Sequence, residues 1–268
     1  STYTLNSTDF AAKLAELEKR GLDVKVLIEG GPVGEDINSR LLCFLQNNGI
    51  QVFLYKGGLK FLHAKYIVGD NSSFLVSTEN FVDNGFFKNR GWGAVVKDGK
   101  SSEKLLLVYL RDLESAVDFR CDGKATVFSY RQQGKDSPDE YYNQDVELVV
   151  APDAVESVAD FLETANRSLY IEQFYIHKKW QGLPNVLLEA AIGKARQGVD
   201  VKVLLDSSYY NIDKGDENSN YWTAEYINGL AAAEKIPIQA KLANLEKIRV
   251  DKIHAKGVVI DNKSALVS

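Results

Sequence analysis

The 268-residue sequence has no methionine, two cysteines, three histidines and five prolines. Two cysteines build neither a disulfide framework nor a multi-cysteine zinc site. Cys43 and Cys121 pair once or not at all, and the sequence leaves that open. Proline scarcity, with 45% hydrophobic and 26% charged residues, excludes collagen-like and disordered chains. No apolar run reaches the roughly 18 residues of a membrane span, and no secretory leader opens the chain. Positive charge is also short. Lys and Arg total 32 against 37 Asp and Glu, a net charge of −5. That excludes nonspecific coating of nucleic acid and leaves room for a local basic cleft. The missing methionine, initiator included, points to a processed or partial chain.

What is present is a repeat, the first pattern to look for. Gly21-Leu-Asp-Val-Lys-Val-Leu-Ile28 returns as Gly198-Val-Asp-Val-Lys-Val-Leu-Leu205, 177 positions later, and His63-Ala-Lys65 returns as His254-Ala-Lys256, 191 later. The extra 14 residues point to an insertion around Ser207 to Tyr221. Each copy reads as a helix closed by glycine (Gly21, Gly198), a buried apolar strand (Val24 to Ile28; Val201 to Leu205), a second helix (Ser39 to Asn48; Thr223 to Glu234) and another strand (Ile50 to Leu54; Ile236 to Gln239). Alternating strand and helix gives an α/β fold with its sheet covered on both faces. The expected organisation is a first module over 1–130, a polar linker over 131–145 and a second module over 146–268.

Copy two opens with elements expected at Val146 to Val150 (strand), Asp153 to Thr164 (helix) and Ser168 to Glu172 (strand). Copy one lacks their counterparts, because Ser1-Thr-Tyr-Thr aligns with Glu172-Gln-Phe-Tyr. Conversely, Glu79 to Val96 follow the first motif, whereas the second copy stops at Ser268. This predicts a chain cut at both ends.

Two of the three histidines begin the same pattern. His63-x-Lys65-x4-Asp70 runs on to Ser77-Thr78-Glu79-Asn80, and His254-x-Lys256-x4-Asp261 runs on to Ser268. On a strand, positions i and i+2 share a face, so each histidine projects with its lysine. Two such modules facing across a pseudo-two-fold axis gather two imidazoles and two ammonium groups, which suits a phosphate diester. The lysines neutralise nonbridging oxygens while Ser77, Thr78, Asn80 and Ser268 add hydrogen bonds. One neutral imidazole attacks phosphorus and the other, protonated, serves the leaving oxygen.

The doubled His-x-Lys-x4-Asp pattern resembles the phospholipase D superfamily over nearly the whole chain. The resemblance implies two pseudo-symmetric α-β-α sandwich modules with a mostly buried mixed sheet and an active site at their interface. It further implies a phosphohistidine intermediate and no cofactor or required metal. His63 would be the nucleophile and His254 the general acid, an order that pseudosymmetry leaves open. Lys65, Lys256 and Asn80 would hold phosphate, and Asp70 and Asp261 would support structure. Two departures stand out. Ser77-Thr78 replaces the family's Gly-Ser, and Asn89-Arg90-Gly91-Trp92-Gly93 lies where many members place an acidic residue that orients a catalytic imidazole.

Other residues carry blander readings. His177 reads as a surface loop residue and Glu172 as a strand-edge carboxylate. Gly30-Gly31-Pro32 and Gly57-Gly58 read as turns. Phe86-Phe87, Tyr209-Tyr210 and Tyr221-Trp222 are expected in the core rather than against lipid or bases. The substrate expectation is a phospholipid, with peripheral membrane contact. The rivals are a nuclease of single strands, with Lys56, Lys60, Lys88, Arg90, Arg249 and Lys252 lining a groove, and a degenerate phosphate-binding module. One chain supplies both half-sites, which fits a monomer. The sequence reads as soluble, with compartment and any leader or anchor left open.

Overall fold

The computed structural model describes residues 1–33, 37–121, 123, 128 and 139–268. The expected linker over 131–145 falls largely outside them. The first half of the chain contributes α1 (Thr8–Lys19), β1 (Lys25–Glu29), α2 (Ser39–Asn47), β2 (Gln51–Tyr55), β3 (Tyr66–Gly69), β4 (Ser73–Ser77), α3 (Asp83–Phe87), β5 (Asn89–Arg90), β6 (Gly93–Val96), α4 (Gly99–Glu114) and β7 (Ala116–Asp118). The second half contributes α5 (Val155–Glu163), β8 (Ser168–Gln173), β9 (Lys179–Trp180), β10 (Leu183–Pro184), α6 (Val186–Arg196), β11 (Asp200–Leu205), α7 (Asn220–Glu234), β12 (Ile238–Leu242), α8 (Leu245–Ile248), β13 (Lys252–Ile253), β14 (Lys256–Ile260) and β15 (Ser264–Val267). The strand expected at Val146 to Val150 does not form; that segment is irregular.

Two compact units result. The first comprises 1–76, 80–87 and 95–148, and the second 77–79, 88–94 and 149–268. Two short segments of the first half thus belong with the second unit, because β5 pairs there with β13 in parallel.

Local chemistry sets the helix ends alike in both copies. Ser7 caps α1 by accepting Phe10 N–H, and Asn185 caps α6 by accepting Leu187 and Leu188 N–H. Beyond the last turns, Gly21 and Gly198 adopt φ of +92° and +91°, the left-handed closure that glycine takes without strain. The 14 extra residues of copy two are distributed rather than confined to 207–221. Strand registers place Val203 with Val26 and Ala240 with Val52, so the offset has already grown to 188 there, and α7 has 15 residues against 9 in α2.

The second unit's sheet runs β12-β11-β8-β14-β15, with β8 parallel to β11 and antiparallel to β14. The first half of the chain forms sheets β1-β2-β7 and β3-β4-β6. Between them lies the segment Ser1–Thr2, with Thr2 bridging Ile28 and Ser1 O accepting Tyr66 N–H. Ser1–Thr2 therefore occupies the place of Glu172–Gln173 in β8, as the aligned sequences require.

Burial differs between the two sheets. Leu27 in β1 is fully buried with Tyr55, Leu105 and Tyr109, because α4 lies over that face. Its counterpart Leu204 is only partly buried, and neighbouring Tyr170 and Val259 are exposed. The opposite face, carrying Leu169, Ile171, Val201, Val203, Leu205 and Val258, packs with Leu162, Leu188, Ile192 and Ile227 from α5, α6 and α7. The expectation of a sheet covered on both faces therefore holds for the first unit, whereas the second unit's strands alternate in burial.

A disulfide joins Cys43 on α2 to Cys121 after β7, settling the pairing that the sequence left open. Gln46 supports the same junction, its amide donating to Phe119 O and accepting Cys121 N–H.

Candidate active site

Both His-x-Lys pairs occupy the entrance to a strand. His63 and Lys65 precede β3, and His254 lies between β13 and β14, so the histidines are not on ladder-paired strand as expected. The backbone still carries each histidine and its lysine to one side. Lys65 Nζ lies 2.9 and 3.1 Å from the ring nitrogens of His63 and donates to His63 O at 2.6 Å. Lys256 Nζ lies 3.1 and 3.2 Å from those of His254 and donates to His254 O at 2.8 Å. Burial lowers the Lys256 ammonium to about 8, an effect that Glu79 opposes and Lys252 reinforces.

The aligned residues Tyr3 and Phe174 play one role in the two units. Tyr3 lies 4.7 Å from the His63 ring and Phe174 lies 4.8 Å from the His254 ring, centroid to centroid. The neighbouring ammonium stands 5.5 Å from the aromatic ring in both cases, within cation–π range.

Sequence reading missed a second duplicated device. Glu29 ends β1, is 7% exposed, and accepts the N–H of Leu62, the residue before His63, at 2.6 Å. Asp206 follows β11, is fully buried, and accepts the N–H of Ile253, the residue before His254, at 2.7 Å. Each carboxylate also takes the N–H two residues along, from Gly31 and from Ser208. A buried carboxylate thus ties each histidine's approach segment to the end of a core strand. The shared 177 offset was the signal available in the sequence, obscured because one copy uses Glu and the other Asp.

The expected phosphate ligands divide. Thr78 is 1% exposed; its hydroxyl accepts Trp92 N–H at 2.9 Å, and its carbonyl accepts Lys256 Nζ at 3.4 Å. The Ser77 hydroxyl accepts Glu79 N–H. Asn80 Oδ1 is buried without a hydrogen-bond partner. Ser268 is exposed and its N–H donates to Lys256 O. Asp261 accepts the N–H groups of Arg167 and Ser168 at 2.8 Å and of Asn166 at 3.0 Å, and these bonds, that from Ser168 foremost, hold its carboxyl below the usual range. Asp70 is exposed with φ of +50°, close to the +54° of Asp261.

Glu79, outside the expected site set, lies 3.5 Å from His254 Nδ1 through Oε2, with both side chains about nine-tenths buried. Glu172 accepts the indole N–H of Trp92 at 2.8 Å. His177 is exposed and stacks on Tyr175. Lys56 donates to Gly30 O, and the Tyr55 ring packs against Gly57, so both glycine segments are packed turns. The proposed basic residues have separate neighbours: Lys60 lies over Phe61, Lys88 near Asp251, Arg90 over Trp92 and Lys252 over Phe174, while Arg249 closes α8 in the left-handed region.

The aromatic pairs are not core, contrary to expectation. Phe86, Phe87, Tyr209, Tyr210 and Trp222 are all exposed, Tyr209 at 84%. Phe86 nevertheless stacks with Phe10 and Phe81, and Trp222 donates its indole N–H to Lys214 O; such rings combine partial packing with polar anchors. Among the described residues, no three His, Cys, Asp or Glu side chains gather into a metal-binding group, and no helix is long and apolar enough to cross a membrane.

Comparison with known proteins agrees with this architecture. A cardiolipin synthase from Clostridium perfringens is 33% identical over 107 residues, which is 39% of this chain and 22% of that relative's length. The chain thus spans about a fifth of that protein. The phosphatidylserine synthase structure from Haemophilus influenzae superposes on 92% of this chain and 66% of its own with a TM-score of 0.59 at 15% identity, a likeness of fold. Nuc, a phospholipase D family member from Salmonella typhimurium, matches 44% of this chain and 78% of its own at 24% identity and a TM-score of 0.41. The family model for the phospholipase D-like domain of cardiolipin synthase matches residues 1–112 and 158–268, and the chain belongs to that family.

Proposed function

We propose that this chain is a phosphodiesterase or phosphatidyl transferase working through a phosphohistidine, with phospholipid head groups as substrate. The observation that carries the reading is the duplicated geometry at each motif, an imidazole held between a lysine ammonium and an aromatic ring. Kinship with a cardiolipin synthase supports the lipid substrate, as does the acidic net charge of −5.

In this mechanism both motifs act on one phosphate. Lys65 and Lys256 offset the charge on its nonbridging oxygens. His63 attacks phosphorus, forming a P–N bond as the P–O bond to the leaving group breaks, and His254 gives its proton to the departing oxygen. His254 then removes a proton from water or an acceptor alcohol, whose oxygen attacks phosphorus and releases His63.

The test presents EDTA-treated protein with phospholipid vesicles and, separately, with a single-stranded oligonucleotide. Head-group release or exchange from vesicles, abolished in His63→Ala and in His254→Ala, is the expected result. Full activity in either variant overturns the two-histidine mechanism. Cleavage of the oligonucleotide alone replaces the lipid reading with a nuclease, and silence on both substrates and on an aryl phosphodiester replaces it with a binding module.

A further inference from the structure

Two contacts reach His254, and a third braces one of them, from segments that the sequence places some 160 to 175 residues away. Arg90 O accepts the His254 backbone N–H at 2.8 Å, which continues the β5–β13 pairing. Glu79 Oε2 lies 3.5 Å from the ring at Nδ1. Asn89 Nδ2 donates to the same Oε2 at 3.1 Å. The histidine's backbone and ring are therefore held by one short stretch of the second unit, 79 with 89–90. That stretch is itself fastened, since Thr78 and Trp92 exchange a backbone bond (Thr78 N to Trp92 O, 2.9 Å) and a side-chain bond (Trp92 N to Thr78 Oγ1, 2.9 Å).

Gly91 completes the arrangement. A Cβ there would lie 2.4 Å from Glu79 Cγ and 2.7 Å from Oε1, far inside van der Waals contact. The space that a side chain at 91 would occupy is filled by the Glu79 carboxylate. Glycine at 91 and glutamate at 79 are thus a steric pair, in which the first must stay bare for the second to reach the imidazole.

We propose that Glu79 is the positioning residue for His254, and that Gly91 is required as glycine because Glu79 takes its side-chain space. The carboxylate sits on the Nδ1 side, and its negative charge stabilises the imidazolium that donates to the leaving oxygen. Asn89 fixes the carboxylate from behind. Lys256 Nζ also stands within 3.1 Å of this ring and donates to Thr78 O, with Lys252 near enough to reinforce the lowering of its ammonium. The inference rests on the proposed role of His254.

The experiment measures kcat and KM on an aryl phosphodiester, melting temperature, and the 15N ring signals of His254. The variants are Glu79→Gln, Gly91→Ala, Glu79→Ala and the double variant Glu79→Ala with Gly91→Asp. Glu79→Gln is expected to cut kcat by about 10²-fold with KM and melting temperature little changed, and to shift the His254 ring signals. Gly91→Ala is expected to lower kcat by displacing the Glu79 carboxylate. Gly91→Asp is expected to recover at least about a tenfold part of the kcat lost in Glu79→Ala, returning a carboxylate to the same space. Wild-type kcat and unchanged ring signals in Glu79→Gln overturn the proposal, as does a loss confined to melting temperature. If the wild type turns over no diester, the ring signals still decide. A shift in Glu79→Gln upholds the positioning contact while the proposed function falls, and no shift sinks both.

Discussion

Tyr3 stands with its ring centroid 4.7 Å from that of His63, although 60 positions separate them in sequence: the two residues are brought together by the bridge of Thr2 to Ile28 and the bond of Tyr66 N–H to Ser1 O. Phe174 repeats the relationship with His254. A ring in this position limits how far the imidazole swings. Ring pairs contribute about 0.5–1.5 kcal/mol beyond area burial. Phe174→Leu is therefore expected to lower kcat about 3- to 10-fold, whereas Phe174→Tyr keeps most of it. Equal kcat for the leucine variant and the wild type would show that the ring does not position His254.

Removing the clamp carboxylates is expected to cost stability and turnover together. Asp206→Ala strands the buried N–H groups of Ile253 and Ser208, and Glu29→Ala strands that of buried Leu62 and releases that of exposed Gly31. At about 1–3 kcal/mol for each unsatisfied buried group, Asp206→Ala loses about 2–6 kcal/mol and Glu29→Ala about 1–3 kcal/mol in urea unfolding. At a temperature where both remain folded, kcat should also fall. Retained kcat in the folded variants would make the carboxylates purely structural.

The Lys256 ammonium, lowered to about 8 by burial, gives an alkaline limit to activity. kcat/KM should decline above about pH 8 as that charge is lost, and Lys256→Arg should move the decline upward while changing the rate, because a guanidinium stays protonated. The stability effect has the opposite sense. The unfolded lysine titrates near its ordinary 10.5, so between about 8 and 10.5 the unfolded chain binds more protons, and this group's contribution to stability rises with pH across that window. A pH–rate profile flat to pH 10 would remove Lys256 from phosphate binding.

Reducing the Cys43–Cys121 disulfide, which spans 78 residues, should destabilise the first unit by on the order of 4 kcal/mol through the freed chain entropy of the unfolded state. Denaturation with and without dithiothreitol measures this, and the Cys43→Ser/Cys121→Ser variant should match the reduced protein. Coincident curves would mean the bond contributes nothing to the folded state.

Much of the fold was legible because its determinants are local. The glycines after α1 and α6 and the apolar runs of β1 and β11 act through neighbours a few residues away, so periodicity and turn chemistry expose them. The repeat then fixed which elements correspond. It also carried Ser1-Thr-Tyr-Thr onto Glu172-Gln-Phe-Tyr, an alignment that the Thr2 bridge and the two ring contacts bear out. Burial was read less well. Tyr209 and Phe87 are exposed although aromatic, and Leu204 lies on a face that its counterpart Leu27 buries under α4, because composition does not say which surface another element covers.

The sequence by itself determined the two-copy α/β architecture and the His-x-Lys pairs, since both are written in short local patterns that recur 177 to 191 positions later. Only the tertiary structure decided that Glu79 meets His254, that Glu29 and Asp206 hold the segments before the histidines, and that Cys43 bonds Cys121. Each of those contacts joins residues 33 or more positions apart in sequence, and such pairings are set by strand register and helix packing. A carboxylate in a sequence looks the same whether solvent or a buried imidazole awaits it; the fold supplies the partner, and with it the chemistry.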